Sequence, residues 1–180
     1  KSIESKTPNQ NPDPQVNTSD DPLLRSKLDN IVNLLGSRRD NSSKIKRFKT
    51  LPIVREVIEE VKNLISNGQA DPNMESAEDL PLVAFAIIIY DYDLLDFLLK
   101  NSRTNIDFTI QNLGLTILHL TCMKADHLST FLVLKKLYQE DRNKFLEALA
   151  VQDRNGLTPV NYLEAHDSGN SILTMINLFK

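Results

Sequence analysis

The chain has 180 residues and a formal net charge of −3, with 41% hydrophobic and 25% charged residues, an ordinary composition for a globular domain. This small charge gives no whole-chain field that would favour nucleic acid or a membrane surface, and the longest apolar run, residues 80–89, is about half a membrane-spanning helix. The single cysteine, Cys122, excludes a disulfide within the chain and fits a reducing compartment, so we expect an intracellular protein, cytoplasmic or nuclear, without membrane insertion.

The N-terminal part of the chain divides into three segments. Residues 1–21 are polar and rich in proline, so we expect a disordered tail or linker that buries too little surface to fold. Residues 22–36 predict a capping helix, because proline follows Asp21 at its start and four apolar residues share one face. These four residues are Leu24, Leu28, Ile31 and Leu35. Residues 37–49 contain six Lys or Arg without periodicity, which favours a basic loop.

Residues 50–68 predict the clearest amphipathic helix. Thr50 is placed to cap it, Asn67-Gly68 ends it, and its apolar residues follow the i, i+3, i+4, i+7 spacing of one helix face. They are Val54, Val57, Ile58, Val61, Leu64 and Ile65. An apolar helix from Leu82, an acidic turn and a second amphipathic helix follow, and the same order returns twice before Phe179. No segment has a convincing strand period, so the sequence predicts an all-α fold.

A repeated motif links the later helices. NLGLTILHL at 112–120 and RNGLTPVNYL at 154–163 place Thr116 and Thr158 42 residues apart, while Asn67-Gly68 and Asn101-Ser102 end helices 34 apart. Pro81-Leu82 corresponds to Ile117-Leu118 at a spacing of 36. In the motif, glycine supplies a positive φ for a tight turn and threonine caps the helix that follows. The base period is about 33 residues, lengthened by insertions.

The chain resembles the ankyrin-repeat family over residues 52–180. The closest segment is GLTILHLTC at 114–122, and DRNGLTP at 153–159 matches the family motif up to its proline, after which Asn161 replaces histidine. LPLVAFA at 80–86 is similar to the start of an inner helix, with Val83 at the histidine position. The resemblance also includes VKNLISNGQADPN at 61–73, which is similar to the end of an outer helix and its loop.

The resemblance implies an ankyrin-like α-solenoid of helix-turn-helix repeats with short hairpin-like loops, preceded by an N-terminal helix. The expected repeat domain is 50–180, after the capping helix and basic loop of 22–49. Its units are about 50–75, 76–108, 109–150 and 151–180. The third unit carries extra residues at 139–149, where we expect an added or lengthened helix. At the end of the last unit Ile172, Ile176 and Phe179 are expected to be exposed unless the chain continues in a longer parent protein.

The resemblance also implies a function in protein–protein interaction. In this family the partner usually lies on the concave face, which hairpin tips and inner helices form. By position, the partner-binding residues are Gln111, Asn112, Met123, Lys124, Arg154, Asn155, Tyr162 and His166. Tyr162 is the expected anchor, because an exposed aromatic side chain can bury a large area. We therefore expect a scaffold or adaptor module of a larger protein that binds another protein, a peptide or other domains of its own chain.

The sequence leaves other functions open. His119 and Cys122 lie one helical turn apart and could form a catalytic dyad or, with His127, a metal site. The resemblance instead makes His119 a structural residue that hydrogen-bonds the neighbouring repeat, and we expect no enzyme, cofactor or metal. The basic segment 38–49 allows an alternative, a nuclear or nucleic-acid-associated regulatory adaptor, although binding of nucleic acid is not expected.

Overall fold

The computed structural model describes residues 22–36, 48–76, 79–110 and 112–180, with only the backbone of 34–36. The tail expected at 1–21 and the basic segment up to residue 47 lie outside the described residues, as does Gln111. The described part of the chain is mostly helical, which confirms the all-α class.

The regular elements are eight α-helices, one 3₁₀ helix and one pair of two-residue strands in the described residues. The helices are α1 (Pro22–Gly36), α2 (Pro52–Ser66), α3 (Leu82–Ile88), α4 (Tyr92–Lys100), α5 (Ile117–Lys124), α6 (His127–Glu140), α7 (Arg142–Ala150) and α8 (Gly169–Phe179). The 3₁₀ helix is Pro159–Ala165. Strands β1 (Thr109–Ile110) and β2 (Leu115–Thr116) pair antiparallel, with Thr109 opposite Thr116 and Ile110 opposite Leu115.

The helices pack in two rows. In the short row, α3 contacts α5 and α5 contacts the 3₁₀ helix; in the long row, α2 contacts α4, α4 contacts α6 and α6 contacts α8. Each short-row helix also packs on the long-row helix that follows it in sequence. The buried apolar residues form one core that runs between the rows, because each amphipathic helix has one apolar face to cover.

Helix α1 packs at the first end of the two rows. Leu24, Leu28 and Ile31 are buried, and α1 contacts α2. Lys27 forms an ion pair with Glu60 of α2 at 2.7 Å. Leu28 also borders a small cavity together with side chains of α3. The helix therefore closes the core where no earlier helix pair is described.

Helix α2 has the predicted face but a different start. Val54, Val61 and Ile65 are fully or almost fully buried, and Leu64 is half-buried. The residue that precedes the helix is Leu51, without a side-chain cap, so the prediction that Thr50 caps it is wrong. Pro52 at the first helical position has no N–H to satisfy and replaces the cap in starting the helix.

The C-terminal helix differs from expectation in its burial. Ile172 and Ile176 are completely buried, and α8 packs on α6 and on the 3₁₀ helix. Phe179 is half-buried, with its ring 5.7 Å from that of Tyr138 and 6.2 Å from that of Phe145. The prediction that Ile172, Ile176 and Phe179 need a further segment to cover them is therefore wrong. Helix α6 and the 3₁₀ helix pack on α8, and rings of α6 and α7 lie against Phe179.

The inserted residues form α7, which confirms the expected extra helix. Phe145 is buried, and α7 packs on α6 and touches the 3₁₀ helix. The helix of the last short-row position is 3₁₀ rather than α. Val160 and Asn161, which follow Pro159 at its start, are weak formers of α-helix.

Candidate partner-binding face

Three hairpin turns share one backbone feature at the start of the short row. Each short-row helix is preceded by a capping residue, and the residue two positions before that cap has a positive φ. The positive-φ residues are Asp79 (54°), Gly114 (70°) and Gly156 (75°), and the caps are Pro81, Thr116 and Thr158. Spacings of 35 and 42 residues relate the three turns. The glycines of the two Gly-Leu-Thr motifs thus adopt the predicted conformation.

Two further turns repeat at the other end of the short row. Tyr90 after α3 and Ala125 after α5 have φ of 59° and 47°, and an aspartate follows each of them. These aspartates, Asp91 and Asp126, cap the next helices: each accepts the backbone N–H three residues on, at 3.0 Å and 2.8 Å respectively. Positive φ is uncommon at residues other than glycine. Because no glycine stands in these two turns, the sequence does not reveal their positive φ.

The turns correct the alignment of the first short-row helix. Pro81 precedes α3 as Thr116 precedes α5, and these two residues are 35 apart. Tyr90 follows α3 as Ala125 follows α5, again at a spacing of 35. The sequence motif alone predicts a spacing of 36, which places Val83 at the position of His119. In the structure that position belongs to Ala84, because the extended cap residue fixes where the helix starts.

His119 joins two successive units. It is completely buried, and its Nε2–H donates to the carbonyl oxygen of Leu157 at 3.0 Å. Its Nδ1 accepts the backbone N–H of Thr116 at 3.1 Å and the Thr116 hydroxyl at 2.8 Å. The Leu157 carbonyl can only accept, which assigns the proton to Nε2. The predicted hydrogen bond from His119 to the next repeat position is present.

The hairpin turns that precede the short-row helices form one edge of the short row, called here the hairpin edge. This edge brings three predicted site residues together. The backbone N–H of Arg154 donates to the carbonyl oxygen of Leu113 at 3.3 Å, which sets the turn at 112–114 beside the turn at 153–156. The side chains of Asn112, Arg154 and Asn155 are exposed. They therefore form a polar rim along one end of the short row.

Tyr162 is not the free anchor that the sequence suggests. Its side chain is half-buried, its hydroxyl donates to the carboxylate of Asp153, and its ring meets His119 edge-on at 6.0 Å. Asp153 also accepts the backbone N–H groups of Asn155 at 2.8 Å and Leu157 at 3.0 Å. These hydrogen bonds, above all that from Tyr162, lower the pKa of Asp153, and the same contact raises the pKa of Tyr162. The hydroxyl and ring of Tyr162 thus help to hold the turn at 153–157 in place.

The turns that follow the short-row helices form the opposite edge, called here the turn edge. It holds the remaining three predicted residues. Met123 and Lys124 at the end of α5 are half-buried, and His166 after the 3₁₀ helix is exposed. The hydroxyl of Ser168 donates to the carbonyl oxygen of Ala125 at 3.3 Å, which sets these two turns side by side. The eight residues of α5 separate this edge from the hairpin edge by about 12 Å.

Contacts at the turn edge also include Lys49, Tyr90 and Tyr92, which are not among the predicted partner-binding residues. The ammonium group of Lys49 donates to the carbonyl oxygen of Tyr90 at 2.7 Å and lies 4.9 Å from the centre of the Tyr92 ring. Tyr92 donates its hydroxyl to Asp126 at 2.9 Å, and burial together with this bond raises the pKa of Tyr92 to about 12. Repeated Tyr-Asp pairs at 90–93 are the only sequence signal for this cluster.

The sequence leaves catalytic and metal-binding roles open for Cys122 and nearby histidines, and the structure shows the surroundings of this thiol. Cys122 is completely buried, and burial raises the pKa of its thiol to about 12, so the thiol stays protonated at neutral pH. Over the described ranges, no group of three or more His, Cys, Asp or Glu side chains is arranged to hold a metal ion. Within the same ranges, none of the helices combines the length and apolar character needed to cross a bilayer.

Comparison of the chain with protein-family models, with curated proteins and with solved structures finds no match. The repeat geometry described above is therefore the basis for assigning a function.

Proposed function

We propose that this chain is an ankyrin-type protein–protein interaction module. It binds another protein or peptide on a concave face formed by the hairpin edge and the short-row helices. The binding residues are those of the two edges, with Tyr162 between them as a fixed support. The module acts as a scaffold or adaptor and needs no cofactor of its own.

The observation that carries this proposal is that side-chain hydrogen bonds join successive units at separations close to the predicted period. Tyr92 at the start of α4 donates to Asp126 at the start of α6, 34 residues later. His119 donates to Leu157, 38 residues later. A repeat that bonds only to its neighbours is the basis of solenoid folds, which bind partners on an extended concave surface.

The exposed side chains on the two edges support a binding role. Asn112, Arg154, Asn155 and His166 are exposed, although the backbone around them is fixed by capping and inter-turn hydrogen bonds. Side chains on a rigid backbone lose less conformational entropy when a partner binds. They are the best positions for testing the proposal without disturbing the core.

The test is capture of partners from a cell lysate with the 180-residue chain and two matched variants. Arg154→Glu/His166→Glu changes both edges of the face. Lys135→Glu/Gln139→Glu makes the same change in charge on exposed positions of α6. We expect the wild type and the α6 variant to capture the same protein and the face variant to lose it. Circular dichroism and the thermal midpoint must show that both variants are folded.

Retention of the partner by the folded face variant, with loss in the α6 variant, would contradict the concave-face assignment. Capture of no protein by the wild type would contradict binding through this module in that lysate.

A further inference from the structure

Lys124 is a cation held against an aromatic ring at the turn edge. Its ammonium group lies 5.8 Å from the centre of the Tyr90 ring. The side chain is half-buried, and burial lowers the pKa of its amine below the ordinary value of 10.5. A cation that has lost part of its hydration gains more from a nearby anion than an exposed lysine does.

The described residues provide no such anion. Among the ion pairs of the described residues, none includes Lys124. The carboxylates of the two adjoining turns have other partners: Asp91 caps α4, and Asp126 caps α6 while accepting the Tyr92 hydroxyl. Lys124 therefore lies over the ring of Tyr90 but forms no ion pair with a carboxylate of the described residues.

A second cation lies at the same turn. Lys49 reaches the carbonyl oxygen of Tyr90 with one N–H and packs over Tyr92. Its two other ammonium hydrogens remain for further acceptors. Two ammonium groups thus contact residues 90–92, and half-buried Met123 precedes Lys124 as an apolar neighbour. This combination is complementary to a segment with one carboxylate beside an apolar side chain.

We propose that the turn edge recognises an acidic peptide, in which an Asp or Glu carboxylate pairs with Lys124 and a neighbouring apolar side chain packs on Met123. This inference rests on the proposed function and narrows it to a class of partner. The carboxylate gives Lys124 the ion pair that it lacks among the described residues. Lys49 adds attraction for the same negative charge during association.

The test is selection of displayed random peptides on the immobilised 180-residue chain, on Lys124→Glu and on Lys135→Glu. Lys135 is exposed on α6, so this control makes the same charge change away from the face. We expect the wild type and the control to enrich peptides with Asp or Glu next to an apolar residue. Lys124→Glu should lose this preference for acidic residues or enrich peptides with Lys or Arg instead. Circular dichroism confirms that each variant is folded.

A double-mutant cycle then measures the pairing itself with one selected peptide, synthesised with its acidic residue and with the corresponding amide. Lys124→Gln should weaken the acidic peptide about tenfold. The same substitution should weaken the amide peptide much less, because only the acidic peptide loses an ion pair.

Each other outcome decides against one of the proposals. Enriched peptides without an acidic preference, or no coupling in the cycle, would overturn the acidic-peptide inference. The binding function would still stand if Arg154→Glu/His166→Glu abolishes binding of those same peptides. Failure to enrich any peptide would overturn this inference, and the lysate capture would then decide the proposed function separately.

Discussion

Gly114 and Gly156 have the same backbone conformation in different surroundings. A Cβ on Gly114 would lie 3.0 Å from the backbone nitrogen of Arg154, whereas a Cβ on Gly156 would meet nothing within 4 Å. Substitution to alanine at either position forces a side chain into the left-handed region, which costs about 1 kcal/mol. Gly114→Ala should cost about 1 kcal/mol more, because overpacking also pushes the two hairpins apart.

Urea unfolding of both alanine variants measures this difference directly, with Gly156→Ala as the matched control for backbone strain. Equal losses in the free energy of unfolding would mean that contact between the hairpins does not stabilise the fold.

Asp153 should make stability depend on acid pH. Its folded-state pKa is lowered, chiefly by the Tyr162 hydroxyl, so the fold favours the charged form. This contribution is present above the unfolded pKa, about 3.8, and is lost as the pH falls through the lower folded value. Asp153→Asn should therefore be less stable than wild type at pH 7, with a difference that shrinks below about pH 4.

Thermal midpoints measured from pH 2.5 to 7 check this prediction, and Tyr162→Phe should reproduce part of the effect by removing the same hydrogen bond. Asp167→Asn, at an exposed carboxylate, serves as the control. A wild-type advantage over Asp153→Asn that stays constant down to pH 2.5 would contradict it.

At the level of single residues, sequence predicts what a motif encodes. The positive φ of Gly114 and Gly156 follows from the repeated Gly-Leu-Thr motif, and the bond of His119 is one that the resemblance to ankyrin repeats implies. The bond between Tyr162 and Asp153 follows from neither, because nothing in the spacing of these residues shows that a turn brings them together. Nor does the positive φ of Tyr90 and Ala125, since tertiary packing holds these residues in a conformation that their side chains disfavour.

At the level of elements, periodicity predicts the helices but not all of their ends or neighbours. The apolar spacing in α2 predicts its buried face, and the extra residues at 139–149 predict α7. The start of α3 at Leu82 is as predicted, but the alignment of α3 with α5 is displaced by one residue, because the apolar run of 80–89 has no polar position to fix the register. The burial of Ile172 could not be predicted, since it depends on α6 packing on α8 across more than 30 residues of chain.

The junction between the 3₁₀ helix and α8 depends on a close backbone approach. A Cβ on Gly169 would lie 2.0 Å from the carbonyl oxygen of Leu163, so the two helices would have to separate. Gly169→Ala should cost about 3 kcal/mol of the free energy of unfolding. Asn170→Ala, at the next and exposed residue, should change it by less than about 0.5 kcal/mol.

Denaturant unfolding of the two variants tests whether α8 is held by this approach. A loss below about 1 kcal/mol in Gly169→Ala would show that the helices can adjust.

Over the whole molecule, contacts join neighbouring units, so damage at one junction should spread unevenly. His119→Ala removes the bond to Leu157 and leaves a buried cavity, at a cost of about 3 kcal/mol. Amide hydrogen exchange should then accelerate more in α8, beyond the broken junction, than in α2. Asn161 is exposed at the corresponding position of the last unit, and Asn161→Ala should have a smaller effect.

Hydrogen exchange followed by mass spectrometry resolves the two helices. Equal acceleration in α2 and α8 would show that the chain unfolds as one cooperative unit rather than unit by unit.

The exposed hairpin edge also bears on how this surface can vary. Asn112, Arg154 and Asn155 are exposed, and substitutions at such positions typically change stability by less than about 0.5 kcal/mol. Gly114 and Gly156, only one or two residues away, hold the turns in shape. A combinatorial library at the three exposed positions, with both glycines kept, would therefore sample many recognition surfaces on one unchanged scaffold.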